Sequence, residues 1–137
     1  MAAASEAVVG TRTLNLEKSK FSPGPALKMQ TRTYAESADG IAMTFTSVAA
    51  DGSAVSGNST FKYDGKDYRI SGSADYDTLS LKRIDANTVK SAQKKDGKLI
   101  GSTVRTVSAH GNVLTLNSIG TNAKGGSFHN VMVFDRK

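Results

Sequence analysis

The chain has no cysteine and no tryptophan. Without cysteine there is no disulfide, no thiol chemistry and no thiolate metal site, and any compartment remains open. Only two prolines occur, Pro23 and Pro25, so almost nothing interrupts regular structure outside that point. No apolar run approaches the length that spans a bilayer as a helix. The start, MAAASEAVVG, has neither a basic n-region nor a long apolar core and does not read as an intact secretory signal. It fits a mature N-terminus carrying an added Met, or a cytoplasmic chain. The compartment stays unknown, with periplasmic or secreted favoured over cytoplasmic.

Turn signals are plentiful. Asp39-Gly40, Asp51-Gly52, Asp64-Gly65 and Asp96-Gly97 are four Asp-Gly pairs among 137 residues, and His110-Gly111 adds a similar turn. Between them lie alternating runs rich in Val, Ile, Thr, Tyr and Phe, which suit strands. Ten strands are expected, near 11–16, 30–36, 41–48, 55–62, 66–71, 77–83, 87–94, 98–107, 112–119 and 127–135. Asp64-Gly65 sits between TFKY and KDYRI and predicts a tight two-residue hairpin over 60–70. Short connections imply antiparallel neighbours. A meander without long crossovers points to an all-β, up-and-down antiparallel barrel of eight to ten strands with little helix. The segment EKSKFSPGPALKM, 17–29, is the exception: a loop or a single helical turn, with Phe21 and Leu27 placed to plug one barrel end. One domain is expected over 1–137, with 1–9 as a flexible tail.

Period-two alternation then selects inward residues. Leu14 and Leu16 share a face, as do Ile41, Met43 and Phe45, Phe61 and Tyr63, Tyr68 and Ile70, and Leu79 and Leu81. Phe128, Asn130, Met132 and Phe134 share a face of the last strand. In 98–107 either Leu99, Gly101, Thr103, Arg105 and Val107 or the alternate set faces inward. A barrel of ten strands is too wide to be filled readily by its own side chains, so a ligand cavity is expected.

The segments GTRTLNLEKSKFSPGP, YDGKDY, LKRIDANTVK, KKDGKLIGSTVRTVS and NVMVFDRK together resemble a family of small bacterial lipocalin-like proteins of poorly characterised function, over nearly the whole chain. A broader likeness is to the calycins, which include lipocalins and fatty-acid-binding proteins. TVRTVSAHGNVLTLNS with the terminal strand is similar to the end of fatty-acid-binding proteins. There the resemblance implies a carboxylate clamp made by an Arg on one strand and an Arg-x-Tyr on the last. Arg105 matches the first, but Met132 and Phe134 stand where the pair belongs. The helical lid of those proteins has no counterpart beyond 17–29. Gly10-Thr11-Arg12 occupies the place of the lipocalin Gly-x-Trp.

Arg105 is the charge of most interest, either inward and binding an anion bidentately or solvent-facing on a pleated strand. Tyr34, Tyr63 and Tyr68 offer hydroxyls or simple aromatic packing, and Met43 and Met132 suit an adaptable apolar wall. His110 and His129, the only histidines, have no partners in sequence that suggest a triad or a metal site. Asp75 and Asp77 are close, but a general-acid role is disfavoured. No P-loop, HExxH or dinucleotide fingerprint is present.

The net charge is +6. Residues 76–137 hold ten basic and four acidic groups, with Lys90, Lys94, Lys95 and Lys98 clustered. The plain reading is a solvated hairpin protected from edge pairing. The leading expectation is a non-catalytic protein that sequesters a small, mainly hydrophobic or amphipathic ligand. Its expected wall is Arg105, Tyr34, Met43, Phe45, Phe61, Tyr63, Leu79, Leu81, Met132 and Phe134, with Leu14 nearby. No cofactor, metal or nucleic acid is expected, and the state is a monomer or small homo-oligomer. The alternatives are an enzyme of isomerase, decarboxylase or hydrolase type in the same cavity, or a module that binds an anionic partner through the 90–98 hairpin.

Overall fold

The alternating runs become strands throughout the computed structural model, which describes residues 7–73, 75–122 and 124–137. Eleven strands form: β1 (Gly10–Leu14), β2 (Lys20–Ser22), β3 (Met29–Ser37), β4 (Gly40–Val48), β5 (Ala54–Phe61), β6 (Tyr68–Arg69), β7 (Thr78–Asp85), β8 (Thr88–Lys95), β9 (Lys98–Val107), β10 (Val113–Thr121) and β11 (Ser127–Arg136). All named pairings are antiparallel, in the order β5-β4-β3-β1-β11-β10-β9-β8-β7-β6, with β2 on β11. The expected all-β barrel is therefore present, nearly closed, with one more strand than the sequence suggested. The extra strand is β2. It follows a single 3₁₀ turn at Leu16–Lys18, capped by the Asn15 side chain, inside the proline segment.

Asp96-Gly97 makes the two-residue turn its chemistry favours, with φ of 51° and 80° and Lys95 opposite Lys98. Asp64-Gly65 does not, which corrects the expected 60–70 hairpin. The Asp64 carboxylate accepts from the Lys66 N–H (3.0 Å) and the Tyr68 hydroxyl (2.6 Å). The Gly65 N–H donates across to Leu81 O (2.9 Å). Residues 62–67 thus curl onto β7, and β5 and β6 end up as the two edges of the sheet. A few bonds close that seam: Ser71 N–H to Asn58 O (3.0 Å), Asn58 N–H to Ser71 Oγ (3.1 Å) and Ser59 Oγ to Arg69 O (2.8 Å). Gly57 permits it, because a Cβ there would lie 2.0 Å from Ser71 O.

One end of the barrel is sealed by a core of Val8, Val107, Leu114 and Phe134. Val8 is only 2% exposed, so residues 7–9 are not a free tail as expected; residues 1–6 lie outside the described residues. Arg12 holds this segment down. It is fully buried, and its guanidinium donates to Gly111 O (2.6 Å), Ala7 O (2.8 Å) and Val8 O (3.3 Å). Burial, and then the neighbouring Arg136, lower its pKa from the ordinary arginine value.

Arg12→Met keeps much of the stem but leaves those carbonyls without donors inside the core. Chemical denaturation should show a loss of about 2–4 kcal/mol. A loss within 0.5 kcal/mol, the ordinary range for surface changes, would mean that water replaces the guanidinium at no cost.

Candidate functional site

A cavity of about 430 Å³ occupies the barrel beyond the sealed end. The register of β8 to β11 explains its layers. Val107, Leu114 and Phe134 form the floor row. Above it run Val89, Arg105, Leu116 and Met132, each opposite the next. Then come Ser91, Thr103, Ser118 and Asn130, and finally Gln93, Gly101, Gly120 and Phe128. The other wall is more apolar, with Met43, Phe45, Phe61, Ile70, Leu79 and Leu81. Phe21, Pro25 and Leu27 line it from the proline segment, where the sequence placed a plug.

Arg105 faces inward and is 8% exposed. This resolves the facing of 98–107. Gly101, Thr103 and Arg105 line the cavity, while Leu99 is 62% exposed. The break between them is a bulge: Gln93 pairs Gly101 and Lys94 pairs Leu99, which leaves Ile100 as the extra residue, turned to the cavity. Arg105 Nη2 donates to the Tyr63 hydroxyl (2.7 Å), and its guanidinium lies 5.3 Å and 5.6 Å from the centroids of Tyr63 and Tyr34. Its Nε–H is buried without an acceptor.

A second guanidinium lines the same cavity. Arg32 on β3 donates from Nε to Gln30 Oε1 (2.6 Å) and from Nη1 to the Tyr34 hydroxyl (3.2 Å). Its charge lies 5.9 Å from the Phe45 centroid and 5.7 Å from that of Phe134. Tyr34 therefore touches both arginines, one through its hydroxyl and one through its ring face. Among the described residues no carboxylate pairs with either. Burial pushes the Tyr76 phenol up, against a smaller opposing pull from Arg32.

Of the residues expected to form the wall, Arg105, Tyr34, Met43, Phe45, Phe61, Leu79, Leu81 and Met132 line the cavity. Tyr63, Phe134 and Leu14 do not. Tyr63 lies past the end of β5 and packs behind Arg105, which it orients; Arg83 stacks on the same ring at 4.5 Å. Phe134 is fully buried in the floor, and Leu14 packs against that core. Arg32, Gln30 and Ser118 were not among the expected wall residues, and Thr103 entered only through one of the two possible faces of 98–107. The alternation that selects Tyr34 also places Gln30 and Arg32 on its face, so that signal was available.

The remaining candidates scatter. Tyr68 is held by Asp64 at the seam. Asp75 lines the cavity, whereas Asp77 accepts the Asp96 N–H (3.1 Å) in the β8–β9 turn, so the two carboxylates serve different places. His129 is bonded to Asn117 Oδ1 (2.8 Å) at an exposed position. Lys94 of the basic hairpin pairs with Asp67 (3.1 Å). Among the described residues no cluster of three metal-ligating side chains occurs, and no helix is long and apolar enough to cross a membrane.

No protein-family model and no curated protein matches the chain. Among solved structures it is similar to zebrafish ileal bile acid-binding protein complexed with cholic acid, at 10% identity and a TM-score of 0.54, covering 96% of this chain and 99% of that one. The fold is thus a calycin-type barrel of the fatty-acid-binding-protein kind. Met132 and Phe134 stand on the last strand, while Arg32 and Tyr34 on β3 meet Arg105.

Tyr63→Phe removes a charge-assisted hydrogen bond from a buried guanidinium and should cost about 1–3 kcal/mol in urea unfolding. An unchanged midpoint would show that the ring, rather than the hydroxyl, holds Arg105. The raised Tyr76 phenol contributes stability that is intact below the ordinary tyrosine range and lost as pH rises through and above it. Tyr76→Phe should therefore flatten the alkaline fall in stability, and an unaltered fall would place its cause elsewhere.

Proposed function

We propose that the protein is a non-catalytic carrier of a small amphipathic acid, which it holds inside the barrel. The observation that carries this reading is Arg105, an inward guanidinium that lines the cavity and pairs with no carboxylate among the described residues. An acid bound there would give that guanidinium a charge-assisted partner. Arg32 and Tyr34 stand beside it as further donors, so the headgroup is held from β3 and β9 together. The apolar wall takes the rest of the ligand, and each buried Å² contributes about 25 cal/mol before the costs of association. The bile-acid-binding neighbour shares the barrel and supports the idea of a container; the acid itself is read from these arginines.

Native mass spectrometry before and after organic extraction checks whether a ligand travels with the protein. Displacement of an environment-sensitive anionic dye then compares a long-chain acid with its alcohol. The acid should bind more tightly, and Arg105→Gln should weaken the acid about ten- to a hundredfold while leaving the alcohol nearly unchanged. Equal losses for both would remove Arg105 from the headgroup site.

A further inference from the structure

The row above Arg105 is polar at every position. Ser91, Thr103, Ser118 and Asn130 stand side by side on four adjacent strands at one depth, and all four line the cavity. They are not isolated groups. Thr103 Oγ1 and Ser118 Oγ lie 2.7 Å apart, Thr103 donates to Gln93 Oε1 (3.3 Å), and Gln93 Nε2 donates to Ser91 Oγ (2.8 Å). Asn130 Oδ1 accepts the Ser22 N–H (3.2 Å) and so ties the row to β2.

A straight alkyl chain laid over this row would strip its water and return no hydrogen bond, which is costly inside a protein. A hydroxyl has two acceptor sites as well as its donor. The hydroxyls of the row therefore retain lone pairs after their mutual bonds, and the Asn130 amide N–H groups have no acceptor among the described residues. These spare sites are mixed, part acceptor and part donor. A second carboxylate, which only accepts, fits them poorly. A hydroxyl, which does both, fits them well. Thr103 is two residues from Arg105 on the same face of β9, so their Cα atoms lie about 7 Å apart along the strand, with Thr103 nearer the mouth.

We propose that the ligand is an oxygenated acid, bearing along its chain a hydroxyl that is read by Thr103, Ser118 and Asn130. This deepens the carrier reading and rests on it. The test is calorimetric titration with octadecanoic acid and a positional series of its monohydroxylated forms. One position, or a narrow set, should bind about tenfold more tightly than the parent, the value of one good buried hydrogen bond. In Thr103→Val combined with Ser118→Ala that preference should vanish while the parent acid binds at least as well. If no hydroxylated form exceeds the parent on the unaltered protein, the hydroxyl row is not a recognition element and the carrier reading survives. If no acid binds at all, both fall together.

Discussion

A guanidinium removed from water must find acceptors, and this barrel answers that constraint in opposite ways at its two depths. Arg12 is saturated. Backbone carbonyls of Ala7, Val8 and Gly111 take its donors, and in doing so they fasten the N-terminal segment and the β9–β10 turn across the floor. Arg105 is left short. One phenol and two ring faces steady it, and its Nε–H has no partner. The first arrangement closes the molecule; the second presents to the cavity a guanidinium that no carboxylate pairs among the described residues.

Between those two arginines the layering follows from register. Because side chains alternate with period two, each inward row on β8 to β11 has a fixed depth. The rows pass from wholly apolar at the floor, through one containing Arg105, to one of hydroxyls and an amide. Gly101 and Gly120 then face each other nearer the mouth, where a Cβ on Gly120 would fall 2.3 Å from Ile100 O. The bulge at Ile100 lets the inward face continue past this point while Leu99 turns out.

Much of this was legible in the sequence. The Asp-Gly turns and the alternation located ten strands to within a few residues, and Met43, Phe45, Leu79 and Leu81 fell on the cavity wall as their spacing required. The features that local pattern does not show have identifiable causes. Asp64-Gly65 looked like a hairpin because local chemistry favours one, yet the Asp64 side chain satisfies Tyr68 and the loop joins β7 instead. Val8 looked like tail because its anchors, Arg12 on the strand that follows and Arg136 from β11, act through backbone carbonyls that no sequence pattern marks. Arg32 shares the inward face of β3 with Tyr34 by simple alternation, but only the pairing of distant strands shows that this face meets Arg105.

The most direct test of the central claim is a crystal structure of the protein with a long-chain acid bound. The account predicts a carboxylate within hydrogen-bond distance of Arg105, with Arg32 or Tyr34 beside it and the chain running past Thr103 to the mouth. A reversed ligand, with its carboxylate at Phe21 and Asn130 and its methyl end against Arg105, would contradict it.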